Sequence, residues 1–484
     1  LFRSAARRSA LLVAACAGAA YLLTLLPGAG HSGDTAELQF CGRVLGVAHP
    51  PGYPLYLALN HVFVRLVALG SLAWRANLLS AVCAVAALLV LQRLLAALRV
   101  DAGPAAVATL CFAFTPTFWR HALVAEVYAL HALLFASALL LFLRWRRSGR
   151  DAHFYAACAA YALSFGNHLT MIVLLPALVL ITLKTRPRAF LEPQRLCRVA
   201  CLIALGMLQY LYLTWRAGAP STPYLAADTS TLAATFAHAT GAQFRSAMFA
   251  FSPAELLVER LPLFLAASWT ELGPLLALAA LGVARLGRCL ENAVLGASFA
   301  ANLAFAIGYD IPDLAPYFIP NHLLACIWLG NALQYLRDRV PGTRLALASL
   351  ALPLALALVQ RPAVEREKNA RTAARAEMIL DELGDDALVI ADYHDYQFLL
   401  YYRLGEERGG PRFYPAHQVS AEEVARYLRA GVPIELPAIR ARVPVGVRVY
   451  STKLNHRPLL RRAGLTLTPF KWGVYRVTAD GPQP

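Results

Sequence analysis

The 484-residue chain has no P-loop, no Rossmann glycine fingerprint, no CxxC pair and no HExxH helix, which leaves a soluble nucleotide-binding enzyme of the ordinary kind without support. Cysteine is sparse where a disulfide framework would need it. Eight of the nine lie in or beside apolar segments, only Cys41 falls in an expected outer loop, and none lies beyond residue 361, so stapling by disulfides is excluded as the main source of stability. No internal repeat is evident, which counts against a transporter built from inverted repeats. Beyond Arg361 no run is long and apolar enough to cross a bilayer.

Before that point such runs recur. Hydrophobic residues make up 58% of the chain and its mean hydropathy is +0.51, well above a soluble average. The pattern predicts a polytopic α-helical membrane domain over 1–360. A small soluble α/β domain over 361–484 would follow, roughly 120 residues and large enough for its own core. The expected spans are 9–26, 76–98, 104–118, 124–143, 153–167, 168–183, 199–215, 261–283, 293–309, 316–336 and 345–360. The first, behind the basic "LFRSAARRSA", is expected to stay as an anchor. Segment 54–70 has 17 residues and holds Asn60, His61 and Arg65; as a helix it reaches about 25 Å, short of a core about 30 Å thick. Laying it along the interface puts 19 basic residues in inner loops against seven in outer ones, as the positive-inside bias requires. The net charge of +16 then reflects membrane topology and implies no nucleic-acid partner.

With about 11 spans and this orientation, the polar motifs and the C-terminal domain share the outer face. Ionisable groups gathered at helix ends on one side of a membrane mark a site. "GDTAELQFCGRVLGVAHPPGYPLY" (33–56) supplies Asp34 and Glu37, which also read as a capping box on an amphipathic helix. His49 and Tyr53 flank its rigid proline turn. "AEVYALH" supplies Glu126 and Tyr128 at a helix start, where a carboxylate also suits the dipole. Trp119, Arg120 and His121 crowd the same end. Asn167 and His168 form a hairpin tip, and Asp310 and Asp313 flank Pro312 in a loop. Arg75 opens an outer span end, and Arg216 and Arg245 lie in the outer loop 216–260. Each arginine is a candidate phosphate ligand, with snorkelling to the interface the plainer role for Arg75.

The first-loop stretch resembles the signature of the GDSGE…LGVAHPPGYPLY membrane proteins, once a domain of unknown function. That family includes the animal transmembrane O-mannosyltransferase of plexin-type extracellular domains. "RANLLSA" (75–81), "AEVYAL" (125–130), "GNHLTM" (166–171), "TGAQFR" (240–245) and "YDIPD…YFIP" (309–320) are similar to its segments, in order. This chain has Thr35 and Ala36 where the family has Ser and Gly. It has "STPYLAADTS" where an Asn-Trp-Gly-Asp element is expected. The resemblance implies a GT-C fold with juxtamembrane helices, and transfer of a hexose, mannose above others, from a polyprenyl- or dolichyl-phosphate carrier. The acceptor would be a hydroxyl on a protein or glycan, with Ser/Thr of protein the first expectation.

On that reading Asp34 is the base, Glu37 or Glu126 orients it or the acceptor, and single displacement inverts the anomeric carbon. The substrate contacts are His49, Tyr53, Arg75, Tyr128, Asn167, His168, Arg216, Arg245, Asp310 and Asp313. No metal cluster is evident, and no cofactor is expected besides the lipid-linked donor. Membrane lipids are the other partners. Ala-, Leu- and Arg-rich usage suggests a bacterial plasma membrane with the active face to the periplasm; an endoplasmic reticulum membrane serves equally. A transporter or channel with an external sensor domain is the rival class, and a GT-C enzyme acting on a lipid or glycan the rival substrate choice. In the C-terminal domain, "ALVIADY", "VRVYST" and "GVYRV" read as strands and "SAEEVARYLRAG" as a capped helix. Asp392, His394 and Asp395 would follow the first strand.

Overall fold

The structure, a computed structural model, describes residues 2–30, 33–340, 343–365 and 370–479. The first apolar run forms the helix Phe2–Thr24. Val13, Ala17 and Tyr21, spaced four apart, are fully buried on one stripe, whereas Leu11, Leu12, Leu22 and Leu23 are exposed. Leucine turned outward beside small residues turned inward is the pattern of a helix facing lipid. Tyr21 anchors the stripe by donating its hydroxyl to the Ala113 carbonyl across 2.9 Å.

Among the described residues, five helices are long and apolar enough to cross a membrane: Ala5–Thr24, Leu72–Ala97, Tyr128–Ser148, Pro193–Gly218 and Leu290–Ile307. The expected span 261–283 is broken into Leu261–Leu272 and Leu275–Leu286, bent by 102° at Gly273. The expected spans at 104–118 and 168–183 are short apolar helices, Ala102–Ala113 and Leu169–Thr185. The expectation of eleven full spans therefore exceeds what length and composition support. Ile319–Arg339 is long, but His322, Asn321 and four charged or amide residues near its end lower its hydropathy.

The first loop folds into the helix Thr35–Val44, ended by Leu45 in the left-handed region. The proline turn follows, with Gly52 at φ +91° and Tyr53 at φ +46°, and opens the helix Pro54–Leu66. Its 13 residues extend about 20 Å, so 54–70 is too short to cross. Gly42 lies where the two helices touch; a Cβ there would come 2.4 Å from Asn60 Oδ1 and 2.8 Å from its Cβ.

The C-terminal segment forms a five-stranded mixed sheet in the order β2-β1-β5-β7-β6, from β1 (Ala387–Ala391), β2 (Arg412–Pro415), β5 (Arg448–Ser451), β6 (Leu465–Pro469) and β7 (Tyr475–Ala479). β3 (Ile434–Leu436) and β4 (Ala441–Val443) make a separate pair. β1 is parallel to β2 and β5 and buried along its whole length, which explains its unbroken apolar sequence. The helix Ala421–Ala430 has Ser420 accepting from the Glu423 N–H at its start and Gly431 in the left-handed region at its end. The sheet has its own core around Leu388, Val424 and Val449. Ile379, Leu380 and residues of the helix Tyr393–Leu400, however, pack into the same core as the membrane helices.

Candidate functional site

Asp34 occupies the N-cap position of Thr35–Val44 but makes no side-chain cap bond, so the expected capping box does not form. Its carboxylate is 35% exposed, whereas Glu37, one turn on, is fully buried. His49 lies between them. Its Nε2 stands 3.2 Å from Asp34 Oδ2 and its Nδ1 is hydrogen-bonded to Glu37 Oε2. Glu37 Oε1 accepts from the His49 backbone N–H at 3.0 Å and from the Tyr224 hydroxyl at 2.9 Å. Asp34 Oδ1 accepts from the Tyr393 hydroxyl at 2.8 Å, and the Tyr53 hydroxyl lies 2.9 Å from His49 Nε2.

Burial alone would pull the His49 imidazole down, but the charges of Asp34 and Glu37 and their hydrogen bonds hold it well above its ordinary value. That shift favours the imidazolium, the form in which both ring nitrogens donate. Burial likewise opposes ionisation of Asp34, and the His49 charge, with help from Tyr393 and His394, outweighs it and lowers the carboxyl. Glu126 goes the other way. Burial, then the charges of Asp34 and Asp313, push it well above the usual carboxylate range, and it accepts from Thr35 Oγ1 at 3.1 Å. Two carboxyl groups pushed in opposite directions are the arrangement acid–base chemistry uses.

A wall of rings adjoins Asp34. Tyr53, Tyr128 and Tyr317 surround His168 with centroids 6.5, 5.6 and 5.5 Å away. His121 packs edge-on to Tyr128 at 4.7 Å. Asn167 donates to the Val127 carbonyl at 3.1 Å, fixing the hairpin against the Glu126 loop. Asp313 is exposed, raised by partial burial and by the Asp34 charge and lowered by Arg120. The first loop, the Glu126 loop, the 166–168 hairpin and the 309–318 loop thus converge.

The three arginines do not reach this cluster. Arg75 Nη1 donates to the carbonyls of Val64 at 2.6 Å and Val67 at 3.3 Å, closing the end of Pro54–Leu66. Arg216 Nε donates to the Leu45 carbonyl at 2.7 Å. Arg245 lies near Thr240 Oγ1 at 3.4 Å on the surface. Asp310 is exposed and tied to Ala247 through its backbone N–H at 2.9 Å. Asp392, His394 and Asp395 do follow β1, but Asp392 caps the helix after it and pairs with Lys453, and Asp395 pairs with Arg375 at 2.9 Å.

Where the sequence suggested no metal cluster, one grouping among the described residues could hold an ion. Ligand atoms of Asp34, Glu37 and His49 all lie within 4.8 Å of one another. Those atoms are turned on each other as hydrogen-bond partners. Sequence reasoning missed Tyr224, Tyr317, Tyr393 and Gln397. Tyr224 stands inside "STPYLAADTS", the stretch that departs from the family pattern, and only that departure could have drawn attention to it.

The chain is similar in fold and in sequence to known proteins. A crystal structure of ArnT from Cupriavidus metallidurans bound to undecaprenyl phosphate superposes with a TM-score of 0.60 over 98% of this chain and 99% of that one, at 15% identity. Its apo form gives 0.55 over the same extent. The chain therefore has the fold of ArnT. Residues 34–189 match the family described as the protein O-mannosyl-transferase TMEM260 N-terminal domain, so the relationship read from the first loop holds. The mouse protein O-mannosyl-transferase TMEM260 is 33% identical over 224 residues, 44% of this chain and 31% of that protein. Its Dictyostelium discoideum counterpart is 24% identical over 235 residues, 45% and 28%. The chain thus spans about a third of the length of the curated relatives it matches.

Proposed function

We propose that the protein transfers a hexose, mannose above others, from a polyprenyl-phosphate carrier to an acceptor hydroxyl, with protein Ser/Thr the expected acceptor. The observation that carries this is the ionised, partly open Asp34 between His49 and Tyr393, beside a neutral Glu126. Asp34 takes the proton of the acceptor hydroxyl as its oxygen attacks the anomeric carbon. The bond from that carbon to the phosphate oxygen breaks, and the phosphate leaves on the lipid with inversion. Glu126 donates a hydrogen bond to the sugar or the departing phosphate, and the ring wall of Tyr53, Tyr128 and His168 holds the sugar face. With Arg75 and Arg216 committed to backbone carbonyls, stabilisation of the phosphate falls to Arg120, whose charge reaches Asp313. The site faces the extracytoplasmic side of a multi-pass membrane protein, bacterial plasma membrane or endoplasmic reticulum. Residues 361–484 form a domain on the same side.

The test is incubation of purified protein with a panel of polyprenyl-phosphate sugars, following which donor is consumed, alongside Asp34→Asn. Loss of a general base typically costs about 10²- to 10⁴-fold; retained transfer above about a tenth of wild type removes Asp34 from that role.

A further inference from the structure

The helix Tyr393–Leu400 belongs to the C-terminal segment, yet it reaches both acids of the first loop. Tyr393 and Gln397 are four residues apart and so share one helix face. Tyr393 donates to Asp34 Oδ1 at 2.8 Å. Gln397 donates to the Tyr224 hydroxyl at 2.9 Å, and that hydroxyl donates to Glu37 Oε1 at 2.9 Å. With His49 bridging the two acids, the contacts close into a ring: Tyr393, Asp34, His49, Glu37, Tyr224, Gln397 and back along the helix. The helix is fixed at both ends. Asp392 caps its start and pairs with Lys453, and just past its end the Tyr401 hydroxyl accepts the Ala73 N–H of a membrane helix at 3.0 Å. Apolar residues of this helix, Phe398, Leu399 and Leu400, already dock it on the core of the membrane helices; its polar groups add contacts that end on the two carboxylates.

We propose that the C-terminal segment completes the catalytic centre, with Tyr393 and Gln397 acting as positioning residues that aim Asp34 and Glu37. This rests on Asp34 being the reacting carboxylate. The Tyr393 hydroxyl stabilises the ionised, correctly turned form of Asp34. Burial, followed by the charges of Glu37 and Asp34, pushes that phenol up, so it remains a donor throughout the physiological range.

Tyr393→Phe removes one oxygen and keeps the ring. With undecaprenyl-phosphate mannose as the donor probe, kcat is expected to fall about tenfold while KM for the donor stays within about twofold. The acid limb of the pH profile should move up by about one unit, as expected for a carboxylate losing a hydrogen bond to its charged form. Gln397→Leu should lower kcat less, because it acts through Tyr224. Thermal unfolding of each variant reports on folding. Independently of turnover, carbodiimide labelling of Asp34 at pH 6, read by peptide mass spectrometry, should be several-fold faster in Tyr393→Phe. An unmoved acid limb with unchanged labelling overturns the proposal. If the wild type consumes no lipid-linked sugar, the proposed function fails instead, and labelling still decides this one: faster labelling supports it and equal labelling refutes it.

Discussion

The two ring nitrogens of His49 each face a carboxylate, Nε2 at 3.2 Å from Asp34 Oδ2 and Nδ1 hydrogen-bonded to Glu37 Oε2. A positive charge buried between two acids favours the ionised form of Asp34 and fixes its direction. His49→Gln keeps a polar side chain and removes the charge. Transfer should fall by roughly 10²-fold, the size of losing one preorganised electrostatic group, and the acid limb should shift upward because Asp34 loses its largest source of depression. Initial rates between pH 4 and 9 check both.

The same pair sets a pH window for stability. His49 is raised above its ordinary 6.5, so its contribution is complete below about 6.5 and is lost as pH climbs through its folded value. Asp34 is lowered from 3.8, so its contribution is present above about 3.8 and is lost as pH falls through its folded value. Melting temperature in detergent should therefore peak between those limits. In His49→Gln the alkaline slope should flatten; a slope equal to wild type would exclude His49 as its source.

Glu126 is raised well above the usual carboxylate range by burial and by Asp34 and Asp313, which favours its neutral form. Glu126→Gln replaces one neutral hydrogen-bonding group with another, so kcat/KM should drop by no more than about threefold. The same exchange at Asp34 should cost at least about 10²-fold. Equal, large losses would mean that Glu126 works as a carboxylate, against the burial that surrounds it.

Asp34, Glu37 and His49 were legible in the sequence because all three fall within sixteen residues and stand out against apolar surroundings. Glu126, Tyr128, Asn167 and His168 were legible as polar groups at the ends of apolar helices. What no local pattern holds is the partner at long range. Tyr393 meets Asp34 across 359 positions and Tyr224 meets Glu37 across 187, and a tyrosine in such a chain is equally at home in a core. The arginines show the converse. Composition reveals a guanidinium at a helix end but not the backbone carbonyls that occupy it. Helix length was misjudged for a related reason, since an apolar run continues through breaks such as Gly273 that end a helix without ending the run.

Arg75 gives a direct check on that lesson. Its guanidinium closes Pro54–Leu66 by binding the carbonyls of Val64 and Val67. Arg75→Gln should lower stability by about 1.5–3 kcal/mol, the scale of a hydrogen bond to a charged group, and leave KM for a lipid-phosphate donor within about twofold. A tenfold rise in KM at unchanged melting temperature would return Arg75 to the phosphate.

Gly42 tests whether the first-loop helix must sit as closely on Pro54–Leu66 as it does. A methyl group there would meet Asn60 at Oδ1, Cγ and Cβ, at 2.4, 2.7 and 2.8 Å. The amide tip can rotate away, but the Asn60 Cβ is fixed by its own helix, and Asn60 is fully buried. The helices must therefore separate by several tenths of an ångström. Overpacking of this kind costs about 1–3 kcal/mol, so Gly42→Ala should melt several degrees lower. Because the displaced helix carries Asp34 and Glu37, activity measured well below the melting temperature should fall as well. Gly42→Ala with Asn60→Gly removes all three atoms and should recover both, less the roughly 1 kcal/mol that glycine costs inside a helix. Recovery of neither would place the constraint elsewhere in the loop.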